Sequence, residues 1–95
     1  MARVKTHPGR VLRMELEARD MSANRLALDI RVPANRITAI LRGERSVSAE
    51  TAVRLGRYFG TGPAFWMNLQ IGYDISVVES EKGPVIESEV PAAVS

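Results

Sequence analysis

The polar residues that follow Pro33 have the side chains best suited to reading nucleic acid. Asn35 can bond adenine in bidentate fashion, whereas Arg36 and Arg42 can reach guanine or a phosphate oxygen. Alanines between them would let a helix approach base edges closely and contact thymine methyl groups. Structural roles are equally open, because an asparagine can solvate a helix start and an arginine can favour a helix C-terminus. Whether these residues bind DNA or have a structural role depends on the helices that carry them.

Catalytic and metal-binding groups are scarce in this chain. It has one histidine and no cysteine, and His7 has no paired carboxylates or glycine-rich phosphate loop near it in sequence. We therefore expect no enzyme activity, no metal site and no cofactor, and we interpret His7 as a helix cap or a surface residue. The lack of cysteine also excludes a disulfide framework.

The charges are distributed unevenly along the chain. Residues 1–57 hold twelve Lys and Arg against six Asp and Glu, whereas residues 58–95 hold one Lys against five acids. Eleven of the twelve cations in the first half are arginines, whose planar fork suits phosphate oxygens and guanine edges. A polyanion is the natural partner of this half, although a GC-rich genome and a solvated surface would give the same composition.

Length and composition bound the architecture. A chain of 95 residues, 45% of them hydrophobic and 25% charged, suits one compact globular domain. The longest uncharged stretch, residues 58–73, is broken by glycines and a proline, so no membrane span is expected. No leader of the signal-peptide type precedes the first amphipathic segment, which predicts a cytoplasmic protein.

Hydrophobic periodicity predicts five helices and no buried strand, and hence an all-α domain. Serine caps, prolines in first turns and closing glycines set the expected ends of these helices. The helices are expected from Pro8 to about Asp20, from the Ser22 cap to Ile30, from Pro33 to Gly43, from the Ser48 cap to Gly60, and from the Thr61 cap to as far as Glu79.

The link between the second and third helices is short enough to fix their geometry. It consists of Ile30, Arg31 and Val32, and so few residues force the two axes to cross steeply, as in a helix-turn-helix. We place this motif within roughly residues 22–43. Its outer face and the N-terminus of the second helix can then contact base edges and phosphates. The predicted DNA contacts are Ser22, Ala23, Asn24, Arg25, Pro33, Ala34, Asn35, Arg36, Thr38, Ala39, Arg42 and Arg45.

Four runs of residues resemble the HigA antitoxins and stand in the same order over about residues 4–78. They are His7-Pro8-Gly9-Arg10-Val11-Leu12, Val32-Pro33-Ala34-Asn35-Arg36-Ile37, Thr51-Ala52-Val53-Arg54-Leu55 and Phe65-Trp66-Met67-Asn68-Leu69-Gln70. The resemblance implies the five-helix, lambda-repressor-like fold of Cro and the phage repressors. It further implies a homodimer that neutralises a HigB/RelE-like, mRNA-cleaving ribonuclease toxin and represses the operon encoding both proteins.

Two other functions remain open at this point. The first is a stand-alone or phage-type repressor without a toxin, which the absence of a neighbouring reading frame for a small basic protein would favour. The second is a pure protein-interaction module with a vestigial helix-turn-helix, which salt-dependent DNA binding would exclude.

Arg31 departs from related domains, which usually place glycine in this turn. If the position needs a positive φ, arginine there costs on the order of 1 kcal/mol, offset by a phosphate contact. A slightly different turn is the alternative.

The fifth helix carries an apolar face that is wider than one helix contact needs. We therefore expect part of it to meet a second copy of the chain. A twofold dimer would place two third helices roughly 34 Å apart on a palindromic operator. The candidate dimer residues are Phe65, Trp66, Leu69 and Tyr73.

Residues 81–95 are expected to form an acidic tail outside the domain of residues 1–80. Lys82-Gly83-Pro84 is expected to interrupt helix, which leaves the remaining segment frayed or disordered. A short strand at Val85-Ile86 and a segment that orders on a partner are the alternatives.

Overall fold

The computed structural model describes residues 3–94 and contains five α-helices and no strand within that range. The predicted five-helix, all-α fold is confirmed. The helices are α1 (Pro8–Ala18), α2 (Ala23–Ile30), α3 (Ala34–Leu41), α4 (Ala49–Phe59) and α5 (Pro63–Glu89). No helix in residues 3–94 is both long and apolar enough to span a membrane.

Side-chain caps fix the starts of three helices. The Ser22 hydroxyl accepts from the Arg25 N–H at 3.0 Å, and the Ser48 hydroxyl accepts from the Thr51 N–H at 3.2 Å. His7 caps α1 as predicted, because its Nδ1 accepts from the Gly9 N–H at 2.9 Å. These bonds satisfy backbone donors that have no partner inside the helix.

Two predicted helix starts were wrong by one residue. Pro33 is the N-cap of α3 and not its first helical residue. The N-cap of α5 is Gly62, with φ 82°, whereas the Thr61 hydroxyl donates to the Gly62 carbonyl at 3.0 Å and caps nothing. Gly62 suits this position because glycine adopts a positive φ without a Cβ penalty. Gly56 in turn allows α4 and the start of α5 to approach closely. A Cβ on Gly56 would lie 2.3 Å from the Gly62 carbonyl carbon.

The hydrophobic core lies where all five helices meet. Its largest fully buried apolar side chains come from every helix and are Leu12, Leu26, Ile37, Ile40, Leu55 and Trp66. The inward face of α3 is therefore anchored on several neighbours at once, and its orientation is fixed by packing instead of by helix propensity. This rigid setting positions the opposite face of α3.

Helix α5 runs further than the sequence predicts. The expected interruption at Lys82-Gly83-Pro84 was wrong, and so was the alternative strand at Val85-Ile86, because all five residues lie within a helix that ends at Glu89. Pro84 removes one helical N–H donor, but it is exposed, so water can bond the carbonyl that loses its partner. A domain boundary after residue 80 stays an expectation.

The 27 residues of α5 make the molecule elongated. At the standard helical rise they span about 40 Å, and the molecule measures 51 × 25 × 21 Å. From residue 81 onward every residue up to Val94 is exposed, except the half-buried Gly83. The last turns of α5 therefore project from the domain as a solvated helix.

Candidate nucleic-acid interface

The connection between α2 and α3 is a three-residue turn. Arg31 adopts the left-handed conformation, with φ 61° and ψ 50°, and its N–H donates to the Ala27 carbonyl. The N–H of buried Val32 donates to that same carbonyl at 3.0 Å. This arrangement ends α2 and redirects the chain into α3 within one turn. The positive φ considered for Arg31 in the sequence is therefore confirmed.

Substitution of Arg31 by glycine is expected to stabilise the fold. Glycine adopts the left-handed region without a Cβ penalty, and this gain exceeds the cost of its greater freedom in the unfolded chain, so the free energy of unfolding should rise by up to about 1 kcal/mol. For a domain of this size that corresponds to a gain of about 4–8 °C in Tm, measured by circular dichroism. Arg13→Gly on the exposed face of α1 is the matched control, and it should lose about 1 kcal/mol. A lower Tm for Arg31→Gly would contradict the argument.

Helix α3 separates an anchored face from an open one. Ile37 and Ile40 are fully buried, whereas Ala34 and Asn35 at the helix start are exposed. Thr38 and Ala39 are half-buried and continue the open face along the helix. Small and polar side chains on this face leave room for an approaching base edge.

Arg36 lies on the flank of that face, and its stem is partly buried. The side chain is half-buried, and its Nε has no hydrogen-bond partner among the described residues. Buried guanidinium donors normally have acceptors. An acceptor from a bound molecule would complete the hydrogen bonding of this guanidinium, which fits the predicted contact role.

Thr38 forms a hydrogen bond to the backbone of its own helix. Its hydroxyl donates to the Asn35 carbonyl at 3.2 Å, one turn back along α3. Such a bond is common for threonine within helices. Since a hydroxyl retains acceptor capacity while donating, this bond leaves Thr38 able to accept from a bound molecule.

The N-terminus of α2 presents backbone donors beside a prearranged arginine. Arg25 pairs with Asp29 one turn later, with Nε and Oδ1 3.2 Å apart, while two thirds of its side chain remains exposed. Asn24 is exposed, but the half-buried Ala23 packs its side chain against the core. Only the backbone of Ala23 is therefore available for the predicted phosphate contact.

The twelve predicted DNA contacts fall on three adjoining parts of the chain: the start of α2, the turn with α3, and the loop after α3. None of them is fully buried. Those exposed are Ser22, Asn24, Arg25, Pro33, Ala34, Asn35, Arg42 and Arg45, and those half-buried are Ala23, Arg36, Thr38 and Ala39. Their contact roles stay predictions.

The polar residues Gln70 and His7 contact the loop between α3 and α4. Sequence analysis did not identify these contacts. Gln70 is buried, accepts from the Val47 N–H at 2.7 Å and donates to Asp74 at 2.8 Å. The His7 ring interacts with the backbone of Arg45. Neither link carries a sequence signal, because both partners are distant along the chain. They tie the loop that carries Arg45 to α5 and to the start of α1.

His7 is held in its neutral form by its surroundings. Desolvation lowers the pKa of His7 below the usual histidine value, against the opposing effects of the Asp74 carboxylate and the interaction with the Arg45 backbone. The ring also packs edge-on against Tyr73, with ring centroids 4.8 Å apart. A neutral ring suits the cap of α1, since Nδ1 must accept a hydrogen bond there.

The predicted dimer face divides between core and surface. Trp66 is fully buried within the single chain, so its assignment to a dimer interface was wrong. Adjacent helical positions point about 100° apart, and Trp66 turns inward while Phe65 remains 42% exposed. Leu69 and Tyr73 are half-buried. Of the four residues, Phe65 offers the most surface.

A further apolar stripe on α5 was missed by sequence analysis. Ile71, Ile75 and Val78 are each about half exposed and lie at i, i+4 and i+7. That spacing places them on one face of the helix. The spacing itself was the signal that could have revealed them, and they add a second exposed apolar surface to α5.

The helix-turn-helix geometry of α2 and α3 has a match among known protein families. A family model described as helix-turn-helix matches residues 12–66, which include α2, the turn and α3. The chain belongs to this helix-turn-helix family. The match extends from the core of α1 to the buried tryptophan of α5, so it takes in the packing that orients α3.

Solved structures similar to this helix-turn-helix chain include HigA-family antitoxins. An addiction module antidote protein of a HigA family from Coxiella burnetii is 49% identical, with a TM-score of 0.93 over 96% of this chain and 100% of that chain. The Pseudomonas aeruginosa antitoxin HigA, solved with the higBA promoter, is 41% identical, with a TM-score of 0.90 over 94% of this chain and 98% of that chain. The resemblance to HigA antitoxins noted in the sequence is confirmed.

A curated relative extends the comparison. Virulence-associated protein I of Dichelobacter nodosus is 43% identical over 77 residues, which cover 80% of this chain and 71% of that protein. A matched stretch of 77 residues in a chain of 95 necessarily includes the helix-turn-helix.

Proposed function

We propose that this protein is the antitoxin of a type II toxin–antitoxin system that represses its own operon by sequence-specific DNA binding as a dimer. It neutralises a HigB/RelE-like, mRNA-cleaving ribonuclease, acts in the cytoplasm and has no enzymatic activity of its own. The observation that carries the proposal is the open face of α3, presented by a three-residue turn. The similarity to a HigA antitoxin solved with its promoter supports it.

In this proposal α3 enters the major groove and the start of α2 contacts the phosphate backbone. Asn35 reads adenine, and Arg36 and Arg42 reach guanine or phosphate oxygens. Arg45 in the following loop binds backbone phosphate, positioned by the His7 and Gln70 links. Each contact draws on a side chain whose backbone is held rigidly by the core, which limits the entropy lost on binding.

The test is binding to DNA from upstream of the protein's own reading frame, with random DNA for comparison. Asn35→Ala and Arg36→Ala should each weaken operator binding about 5- to 150-fold, the loss expected for one bidentate base contact of about 1–3 kcal/mol. Affinity should also fall steeply between two salt concentrations, because bound arginines release counterions. The measurement is a fluorescence anisotropy titration.

Arg13→Ala serves as the matched control, since Arg13 is an exposed arginine on α1 outside the predicted contacts. It should bind the operator like the wild type. Equal losses in Arg36→Ala and Arg13→Ala would point to nonspecific charge attraction. Binding no stronger than to random DNA would remove the repressor part of the proposal.

Toxin neutralisation has a separate test. The reading frame next to this protein's own is co-expressed with it, and growth and complex formation are followed. Growth arrest that this protein relieves, together with a stable complex, supports the antitoxin role. If no neighbouring toxin exists while operator binding is specific, the protein is a stand-alone or phage-type repressor.

The dimer in this proposal uses the exposed stripe of α5 together with Phe65. Ile75→Glu would place a charge at the centre of that stripe, so it should shift the sedimentation equilibrium from dimer to monomer at micromolar concentration. Met14→Glu, at an apolar residue of α1 that is more exposed than Ile75, is the control and should leave the mass unchanged. A wild type that sediments as a monomer would refute this dimer.

A further inference from the structure

A basic cavity lies between the end of α2 and the outer side of α4. Its volume is about 440 Å³, which is within the range of small-molecule sites. Six residues line it, and they are Asp29, Ile30, Arg31, Arg54, Arg57 and Tyr58. Three arginines from two elements therefore line one concave space whose lining includes a single carboxylate.

The carboxylate in this cavity is already engaged. Asp29 accepts from the Tyr58 hydroxyl at 2.7 Å and pairs with Arg25 at 3.2 Å. The pair with Arg25 partly balances the charge of Asp29, and the three arginines leave the lining of the cavity with a net positive charge.

The three arginines differ in how they are held. Arg54 is fixed by Glu50, with Nη2 and Oε2 3.0 Å apart, and by donation from Nη1 to the Ile30 carbonyl at 3.0 Å. Arg31 and Arg57 form no salt bridge with any residue in the range 3–94. The cavity therefore combines one prearranged guanidinium with two that have no internal counter-charge.

The backbone conformation of Arg31 is unusual for an arginine. Arg31 is held in the left-handed conformation, which glycine would adopt without strain. Its guanidinium forms no hydrogen bond with a described residue that would offset that strain. A partner outside the chain would give the arginine at this position a role.

We propose that Arg31, Arg54 and Arg57 form a binding site for a phosphate-bearing anion. Guanidinium forks match phosphate oxygens in bidentate fashion, and a phosphate offers enough acceptors for several of them at once. The site lies at the C-terminal end of α2, about 12 Å along the helix from the predicted phosphate contacts at its start. The site adjoins the turn into α3, but none of its three arginines belongs to the predicted DNA contacts. The phosphate comes either from a free polyphosphate or from the DNA backbone beyond the reading helix.

The experiment follows the side-chain Nε–Hε signals of the arginines by NMR during titration of the full chain. One arm uses tripolyphosphate without DNA, and the other uses operator DNA without tripolyphosphate. Arg31→Gly and Arg57→Gln assign the two signals. Saturable shifts of the Arg31 and Arg57 signals with tripolyphosphate identify a free anion as the ligand, and shifts with DNA alone identify backbone phosphate. Either result supports the phosphate site.

Variants separate this site from the DNA-reading surface, which would also attract polyphosphate. Arg31→Gly removes one guanidinium and relieves the backbone, so it folds, and it should bind the phosphate ligand about tenfold more weakly or worse. Arg36→Ala and the α1 control Arg13→Gln should leave the Arg57 shift unchanged. The proposal is overturned if the Arg31 and Arg57 signals follow neither titrant, or if Arg31→Gly binds as tightly as the wild type. Asn35→Ala tests only operator reading, so the two proposals can fail separately.

Discussion

Replacing Trp66 by alanine should lower the free energy of unfolding by about 3–5 kcal/mol, the usual cost of removing a fully buried large aromatic side chain. Trp66 has no exposed surface and packs between Phe59 and Phe65, with ring centroids 5.9 Å and 5.1 Å away. The cavity left behind lies where α4 meets α5, and these two elements cannot collapse into it without breaking their own packing. The expected fall in Tm is at least about 12 °C, measured by thermal and urea unfolding.

Phe65→Ala is the control for this prediction. It removes a neighbouring aromatic that is 42% exposed, so it should lower the free energy of unfolding by only about 1–2 kcal/mol. If Trp66→Ala left the unfolding midpoint unchanged but altered the mass in solution, the tryptophan would be an interface residue after all.

Gly9→Ala should be nearly as damaging, although it adds a single methyl group. A Cβ at Gly9 would lie 1.9 Å from the Ile40 carbonyl oxygen and 2.9 Å from its carbon. Both atoms belong to the backbone at the end of α3, which has no rotamer to change, so α1 and α3 must move apart. We expect a loss of about 3 kcal/mol, the upper part of the range for overpacking, measured by urea unfolding.

Gly83→Ala is the comparison variant, and it should raise the free energy of unfolding instead of lowering it. Gly83 lies in the projecting part of α5, and a Cβ there would meet nothing within 4 Å. Because alanine restricts the unfolded chain and favours helix, this variant should gain about 0.5–1 kcal/mol. Equal midpoints for Gly9→Ala and the wild type would show that α1 does not rest on α3 as described.

Local signals were sufficient to predict most of the DNA-reading half. Serine caps, the proline before α3 and the spacing of Ile37 and Ile40 act within a few residues, so they determine helix ends and buried faces directly. The short turn then restricts how α2 and α3 can cross. For these reasons the five helices and the open face of α3 were predictable before any tertiary contact was known.

Other features depend on partners far along the chain and could not be predicted. The contact of Phe59 with Trp66 depends on how α4 packs against α5, which no local pattern specifies. Gln70 and Val47 are 23 residues apart, and only folding brings the Val47 N–H to the side-chain oxygen of Gln70. The continuation of α5 through Pro84 was missed because proline is normally a helix breaker, and the exposure that makes it tolerable is itself a tertiary property.

Because the molecule is elongated, its uneven distribution of charge affects how the protein is oriented when it approaches a binding partner. The arginine-rich residues belong mainly to the helices of the domain, while Glu79, Glu81, Glu87 and Glu89 lie along the projecting end of α5. Over a molecule 51 Å long, this separation makes a large electric dipole. Near any polyanion the resulting torque turns the arginine-rich end forward before contact and keeps the acidic helix outward. Salt at physiological strength, with a Debye length of about 8 Å, shortens the range over which that orientation begins.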